Sequence, residues 1–415
     1  MVYIYIKFII NIEIIKKKEY NDYREGEKSM KRTTNYFKVL VFALVIALAF
    51  VFVGCGGKES GNKLSDKDRK DFVNEIGGAS ETFTGATSKE VYQTKEEAAK
   101  AFIATEVVGE KKANVVSVES KAVLNEESVN KLGIPEEDKA GIVSVEEVEV
   151  TYAAVSGLVS SEPAQKITVY VIKYETNWKY FVPLPETGTT ISRSYYESVF
   201  DTTKFANSTY FYELTMDMDV KATYQGETQK AKMKMAISQD IKYDEGRIYA
   251  KQYMLMDMSA FGQGKEEVTV EIYIEEVDGK MVCYIKDGFN WQQANLAAIG
   301  FSNLEELQPF ANDYLDYTYF TKTDYGFELA EENAEKYVDQ ALDMSGVQQM
   351  LNGGNMDMDM YAEYFVNEGA LSGLLLKGKL SVSMSQQGIS MTMSGDMEAK
   401  GTCTNYGTTV VEKPF

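Results

Sequence analysis

The sequence lacks histidine entirely, and it contains only three cysteines and two tryptophans among 415 residues. Without histidine, Ser-His-Asp and Cys-His catalytic centres, imidazole metal ligands and a histidine pH switch are excluded. Two of the cysteines, Cys283 and Cys403, lie in the C-terminal half of the chain, and two thiols do not make a disulfide framework. We expect both to be buried free thiols, with a Cys283–Cys403 bond as the alternative.

Recognisable enzyme motifs are also missing from the sequence. There is no phosphate-binding loop, no glycine-rich dinucleotide turn after a strand, and no nucleophile elbow. Asp357-x-Asp359 lacks the central glycine of a calcium loop, since Ala362 stands at that position, and we interpret it as the polar face of a strand. We therefore expect no enzymatic activity, no catalytic residue, no metal and no cofactor. A cell-wall hydrolase with clustered carboxylates is the enzymatic alternative.

Acidic residues outnumber basic ones after the first part of the chain. The formal net charge is −20, and residues 1–54 carry nine Lys/Arg against five Asp/Glu, so the remaining chain carries about −24. Such an acidic surface disfavours nucleic acid and bare anionic membranes, because neither supplies a countercharge. We expect no nucleic-acid partner.

A hydrophobic run stands out near the beginning of the chain. Val39–Val53 is unbroken by charge and follows a basic flank at Lys31, Arg32 and Lys38. Fifteen apolar residues match the core of a signal peptide and fall short of the roughly 20 that a bilayer-crossing helix needs. An uncleaved membrane anchor is the alternative interpretation.

The run ends in Gly54-Cys55, a small residue directly before a cysteine. This ending resembles the lipobox of bacterial lipoproteins, with Phe52 where leucine is commonest. The resemblance implies cleavage between Gly54 and Cys55 and acylation of Cys55, for example with palmitate. The mature protein would then be anchored by membrane lipid at the extracytoplasmic face of the cell membrane.

Three short segments surround this signal. Residues 1–29 place a second charged stretch ahead of a complete signal peptide, which predicts a mis-called upstream extension, with a long signal-peptide n-region as the alternative. Residues 30–54 are the signal peptide itself. Residues 55–89 are polar and rich in glycine and serine, which predicts a flexible tether, with a short helix over Ser65–Ile76.

Residues 90–205 are predicted to form a small helix-plus-antiparallel-sheet unit. Thr94-x-x-Glu97 is a capping box that opens a helix. Gln165–Tyr174 and Trp178–Val182 have the pattern of a β-hairpin. This order resembles the cone-shaped α+β modules of extracytoplasmic proteins.

The stretch Leu184–Gly188 reads LPETG, which matches the sortase sorting signal. A sorting signal stands at the extreme C-terminus before an apolar segment and a basic tail, whereas more than two hundred residues follow here. We interpret it as a proline-containing turn at the exit of a strand.

Residues 206–415 show long period-two alternation, as in Leu214–Ala222 and Val268–Ile274. The helical pattern of Ser302–Leu315 and Glu331–Leu342 interrupts it, and strands resume over Met356–Phe365 and beyond. The strand–helix–strand order, the Met-x-Met rhythm, Tyr284–Trp291 and the final turn resemble the LolA-like lipoproteins of Gram-positive bacteria, an uncharacterised group. The resemblance implies an α+β protein whose C-terminal domain is a curved antiparallel half-barrel covered by two helices.

Methionine is unusually frequent, with 19 in the chain, and its unbranched side chain adapts to variable apolar shapes. A methionine-lined concave face suits an apolar ligand such as a lipid, and a solid core is the alternative. The candidate lining residues are Met216, Met218, Met233, Met235, Met254, Met256, Met391 and Met393. We therefore expect a non-enzymatic, membrane-anchored lipoprotein that binds an apolar molecule. An envelope scaffold with solid domains and an unknown protein partner is the alternative.

Overall fold

The computed structural model describes most of the chain after the signal region. The described residues are 64–78, 85–108, 112–156, 160–161, 163–200, 207–224, 227–244, 246–257, 259, 264–278, 280–287, 289–294, 316–345, 355–386 and 389–415. The predictions for residues 1–54 and for Cys55 lie outside this set and stay predictions.

Short helices begin where the sequence supplies capping side chains. The α-helices of the described chain are α1 Asp66–Glu75, α2 Lys95–Phe102, α3 Glu126–Lys131, α4 Glu136–Lys139, α5 Arg193–Val199 and α6 Ala334–Ser345. The side chains of Ser65, Thr94, Asn125 and Ser192 accept backbone hydrogen bonds at the starts of α1, α2, α3 and α5. The predicted capped helix at Thr94 is confirmed, and it runs on into a π-helical turn, Ile103–Val107.

The first of two antiparallel sheets lies in the N-terminal half. Its strands are β1 Ala86–Thr87, β2 Lys112–Val123, β3 Ile142–Ser156, β4 Ser160–Ser161, β5 Gln165–Tyr174 and β6 Trp178–Val182. They are ordered β1-β6-β5-β3-β2, with β4 paired to β3. The predicted hairpin of β5 and β6 is confirmed. Ala98 and Phe102 of α2 belong to one hydrophobic cluster with Val148 and Val169 of the sheet.

The second sheet is larger and holds the C-terminal half. Its strands are β7 Ser208–Tyr224, β8 Glu227–Asp244, β9 Arg247–Asp257, β10 Lys265–Val277, β11 Lys280–Asp287, β12 Asn290–Ala294, β13 Phe320–Lys322, β14 Gly326–Leu329, β15 Asn355–Asn367, β16 Ala370–Gln386 and β17 Ile389–Thr404. The order is β12-β11-β10-β9-β8-β7-β17-β16-β15-β14-β13. Two antiparallel meanders therefore meet where the last strand, β17, pairs with β7.

The predicted α+β class, a helix-plus-sheet domain followed by a half-barrel covered by two helices, is wrong. The described chain is mostly antiparallel β, because the alternation in the C-terminal half continues through strands as long as 18 residues. Of the two predicted covering helices, the one over Ser302–Leu315 lies outside the described residues. The other corresponds to α6, which packs against β15 near one side of the sheet, so its contacts do not extend over the whole face.

The large sheet has one buried face and one mostly polar face. On β7 the even-numbered side chains from Tyr210 to Val220 are buried, and the odd-numbered ones from Phe211 to Asp219 are exposed. We call the buried side the inner face and the other side the outer face. Helices α5 and α6 contribute Tyr196 and Tyr337 to the cluster on the inner face.

The outer face carries α1, which lies within the segment predicted to be a flexible tether. Phe72 is buried with Phe365 and Leu375, and its ring lies 5.0 Å from that of Phe365 in an edge-to-face arrangement. Gly373 permits this approach, since a Cβ there would lie 2.7 Å from the Phe72 ring. Residues 64–78 are therefore packed on the large sheet.

The LPETG stretch forms a turn after β6. Gly188 has φ +82° and donates its N–H to the carbonyl of Lys322, 2.8 Å away. Thr189 closes the turn by donating to the carbonyl of Glu186. The positive φ suits glycine, so the motif has a conformational explanation in this fold.

Candidate functional site: the methionine face of the large sheet

Methionines lie side by side across the inner face of the large sheet. Met216 on β7 pairs with Met235 on β8 and with Met397 on β17, while Met218 pairs with Met233. Directly opposed residues on adjacent strands have Cβ atoms about 4.5–5.5 Å apart, so these side chains form a contiguous surface.

Six of the eight predicted lining methionines are buried on this face. Each has an exposed fraction between 1 and 4 %, and they are Met216, Met218, Met233, Met235, Met254 and Met393. The backbones of Met256 and Met391 pair in the same sheet, and their side chains lie outside the described set. The proposal that these residues line a ligand site stays a prediction.

Three further buried methionines belong to the same face and were not among the predicted residues. Met358 and Met360 lie on β15, and Met397 lies on β17. The Met-x-Met alternation in β15 carried the same signal as that in β7. Met397 stands alone among polar residues, so only the observed strand pairing with Met216 reveals it.

A polar strip adjoins the methionines on the same face. Gln239 on β8 pairs with Gln252 on β9 and with Tyr212 on β7, and all three side chains are buried. Gln239 is only 7 % exposed, and its amide Nε2 has no hydrogen-bond partner among the described residues. A buried donor without a partner destabilises a fold by about 1–3 kcal/mol, so this amide is a candidate contact for a ligand.

Sequence reasoning missed this strip because an alternating pattern treats glutamine as an outward-facing residue. The sequence did contain one indication that Gln239 faces inward. It continues the odd-numbered set of buried residues Met233, Met235 and Ile237 on β8. Beyond the strip the inner face is apolar again, with Ile241 and Ala250 buried. The face therefore combines an apolar field with a polar strip inside it, and an amphiphilic molecule requires both kinds of surface.

Two glycines let the strands approach closely beneath the methionines. A Cβ on Gly395 would fall closer than 3.0 Å to the carbonyl oxygen of Asp217, and one on Gly378 would lie 2.6 Å from the carbonyl oxygen of Asp359. Glycine inside a strand is typical of such a close backbone approach or bend. Both positions belong to the inner-facing set of their strands, so they shape the methionine surface directly.

The outer face holds a groove of about 710 Å³ behind the methionine row. Its lining mixes charged residues with apolar ones. The charged ones are Asp217, Lys234, Lys377, Lys379, Asp396 and Glu398, and the apolar ones include Met216, Met235, Leu255 and Met397. Asp217 and Lys234 form an exposed pair at 3.2 Å, and Lys377 is 3.2 Å from Asp68 of α1. The groove is therefore mixed in character, with charges of both signs beside apolar residues of the methionine-bearing strands.

A buried carboxylate joins the two halves of the chain. Glu106, in the π-helical turn after α2, accepts hydrogen bonds from Ser194 Oγ at 2.6 Å and from Ser194 N at 3.1 Å. Its backbone carbonyl accepts a third bond from the hydroxyl of Tyr317. Burial raises the pKa of Glu106, while the bonds from Ser194 oppose that shift. These contacts hold α5 and the segment before β13 against the first sheet.

Cys283 and Cys403, the cysteines among the described residues, are free thiols buried on different strands of the large sheet. Cys283 lies on β11 and Cys403 on β17, with four strands between them in the sheet order. Burial raises the pKa of the Cys283 thiol to about 12 and that of Cys403 to about 11. Both thiols are therefore poor nucleophiles at neutral pH.

The described part of the chain lacks two features. No helix there is long and apolar enough to cross a bilayer. Within the same residues, no group of three or more histidine, cysteine, aspartate or glutamate side chains is placed to hold a metal ion.

Comparisons with known proteins give only weak similarities. No protein-family model matches the sequence, and no curated protein matches it significantly. Among solved structures, the chain is similar to a DUF1329 family protein from Desulfovibrio piger at 8% identity, covering 53% of this chain and 94% of that one with a TM-score of 0.14. It is also similar to intact Ap-TbpB, with N and C lobes, at 9% identity, covering 71% of this chain and 39% of that one with a TM-score of 0.13. Similarities at this level establish no family and carry no argument about function.

Proposed function

We propose that this protein is a non-enzymatic envelope lipoprotein that binds an amphiphilic, lipid-like molecule on the inner face of its large sheet. One observation carries the proposal. Gln239, whose amide nitrogen lacks a hydrogen-bond partner among the described residues, lies on the same face as the buried methionines, one row away from Met254.

The chemistry of the two regions is complementary to such a ligand. Methionine side chains have three rotatable bonds and a polarizable sulfur, so they adjust to an acyl chain at little cost in strain. The amide of Gln239 would donate to a carbonyl or hydroxyl oxygen at the polar end of the same molecule. Ligand sites in proteins typically combine an apolar lining with a few placed polar groups.

The cellular placement in this proposal rests on the sequence. The basic flank, the apolar run and Gly54-Cys55 support a signal peptide followed by acylation of Cys55, which would tether the protein to the extracytoplasmic side of the cell membrane. The chain's acidity and its lack of histidine support a binding role without nucleic acid and without histidine-based catalysis.

Lipid extraction tests the ligand. The protein lacking residues 1–55 would be purified without detergent, extracted with organic solvent and analysed by mass spectrometry. We expect one class of amphiphile at close to one molecule per chain, and less of it in the Gln239→Met variant. An extract of folded wild-type protein that matches the buffer blank would overturn the proposal.

A second candidate is an envelope scaffold whose domains are solid. The near-complete burial of the methionines favours this candidate, because their surface is already covered by protein atoms. In that case the extract would be empty, and cross-linking in whole cells would recover a protein partner through the outer surfaces instead.

A further inference from the structure

The C-terminal segment, residues 411–415, folds back over the outer face of β10, β11 and β12. Its position is fixed at Val411, which is buried. The N–H of Val411 donates to Asp244 Oδ2 at 2.8 Å, and its carbonyl accepts from Arg247 Nη1 at 3.0 Å. The described contacts beyond Val411 are made by the side chains of Lys413 and Phe415.

Lys413 enters a group of aromatic rings with a carboxylate beside them. Its Nζ lies 2.5 Å from Glu275 Oε1 and 5.0 Å from the ring centroid of Tyr284. The ring of Tyr273 lies 5.9 Å from the same nitrogen, and the Tyr273 hydroxyl donates to Glu275. Aromatic faces attract ammonium groups, and the carboxylate adds a direct charge pair.

Phe415 covers the neighbouring part of the same surface. Its ring centroid lies 4.7 Å from Tyr284, 5.4 Å from Trp291 and 5.9 Å from Tyr273. Phe415 is itself 52 % exposed, whereas Tyr273 beneath it is fully buried. The segment is therefore a cover over the aromatic surface, with its own ring open to solvent on the other side.

This arrangement brings together two stretches that lie far apart in the sequence. Tyr284 and Trp291 belong to the stretch before the predicted helices, and Lys413 and Phe415 belong to the tail after the last strand. The tyrosine pair is in direct register, since Tyr273 pairs with Tyr284. Trp291 pairs with Lys286, which lies on the same face. The pairing of β10 with β11 and of β11 with β12 thus places these rings side by side, as a site for a cation and a neighbouring aromatic ring.

We propose that Tyr273, Glu275, Tyr284 and Trp291 form a peptide-recognition cage for a partner protein that presents lysine and an aromatic residue two positions later. The chain's own Lys413-Pro414-Phe415 occupies this cage when the partner is absent. The partner's lysine suits the cage because the chain is strongly acidic overall and Glu275 lies at the centre of the site. The intervening proline limits the flexibility of the peptide, which favours binding of an extended segment.

Fluorescence anisotropy with a labelled peptide tests the cage. The probe has the sequence of residues 410–415, VVEKPF, and the host is the full chain carrying Lys413→Ala and Phe415→Ala, which empties the cage. We expect the emptied host to bind the probe at least tenfold more tightly than the wild type, whose own segment competes. Adding Trp291→Ala or Glu275→Gln to the emptied host should lower its affinity for the probe at least fivefold. Adding Phe211→Ala, a change at an exposed ring elsewhere on the outer face, should leave the affinity unchanged.

Three results would overturn the proposal. The first is that the emptied host binds the probe no better than the wild type does. The second is that it binds a VVEAPA peptide, which lacks the lysine and the phenylalanine, as tightly as the probe. The third is displacement of the probe by tetramethylammonium at equal concentration. That result would show that the site recognises a cation alone and does not recognise the aromatic residue of the peptide. If circular dichroism shows that the emptied host is misfolded, Phe415→Ala alone serves as the host, and failure of that folded variant to bind the probe also overturns the proposal.

Discussion

Arg69 Nε lies 2.6 Å from Oε2 of Glu363, a carboxylate with no solvent exposure, although 294 residues separate the two in sequence. The same guanidinium contacts Glu328 at 2.8 Å and the hydroxyl of Tyr361. Burial raises the pKa of Glu363, and the hydrogen bond from Arg69 opposes that shift. A charged cluster thus fixes the N-terminal helix α1 to the strands β14 and β15.

Arg69→Ala should destabilise the protein by roughly 3 kcal/mol, because it leaves Glu363 buried without its charge partner. Urea unfolding followed by circular dichroism measures the change. The matched control is Arg193→Ala, since Arg193 forms an exposed pair with Glu197 at 2.7 Å, and that loss should stay within about 0.5 kcal/mol. Equal effects of the two substitutions would show that the buried cluster does not hold α1.

Glycines inside β17 and at the β8–β9 turn should respond very differently to alanine. Gly395→Ala should destabilise the protein by about 3 kcal/mol or more, because its Cβ would overlap the backbone of β7. At Gly246 a Cβ meets nothing within 4 Å, so Gly246→Ala should stay within about 1 kcal/mol of the wild type. Thermal melting of the two variants compares them, and a tolerated Gly395→Ala would contradict the observed strand approach.

Gln239→Met should stabilise the ligand-free protein by about 1 kcal/mol or more, because it replaces a buried, unpartnered amide with an apolar group of similar length. Gln293→Met, at an exposed position of β12, should change stability by less than about 0.5 kcal/mol. Urea midpoints on delipidated protein give both values. Destabilisation at position 239 would mean that the amide makes contacts that the described residues do not supply.

The raised pKa of Glu106 predicts a pH dependence of defined sign. Because burial raises this pKa in the folded state, folding favours the protonated acid, and the contribution to stability falls as pH rises above the ordinary value of 4.5. The Glu106→Gln variant lacks this titration. The unfolding free energy of the wild type minus that of the variant should therefore decrease between pH 4.5 and pH 7.5, and a difference that is constant or grows would contradict the assignment.

Both cysteines should resist modification in the native state. Their thiols are buried, and their pKa values are raised by burial to about 12 for Cys283 and about 11 for Cys403. In the protein lacking residues 1–55, iodoacetamide at pH 8 should label neither thiol within an hour in buffer and both in concentrated urea, as read by intact mass. Labelling in buffer would show that the strands β11 or β17 open readily.

Local patterns predicted local structure well in this chain. Thr94 marked a helix start, and the alternation that begins at Leu214 identified both a strand and its buried side chains as far as Val220. The overall class was wrong, because periodicity does not reveal how much of a face each helix covers. Arg69 with Glu363 and Lys413 with Glu275 were beyond prediction, since each pair depends on strand order between distant segments.

The candidate site was predictable only in part for the same reason. Periodicity could place Met216 and Met218 on one side of a strand. The register that sets Met397 beside Met216, and Gln239 beside Tyr212, comes from pairing between strands. A lone methionine or glutamine carries no signal until that pairing is known.

The pairing of β17 with β7 has a consequence for how this chain acquires its structure. All of β8 to β16 lies between these two strands in sequence, so their contact has a very large loop to close and belongs to the slow class of folding events. Until β17 is available, β7 is an open edge of 17 residues with tyrosine and methionine on one side. Such an edge can pair with other chains, so the nascent protein is most prone to aggregate just before its last strand emerges.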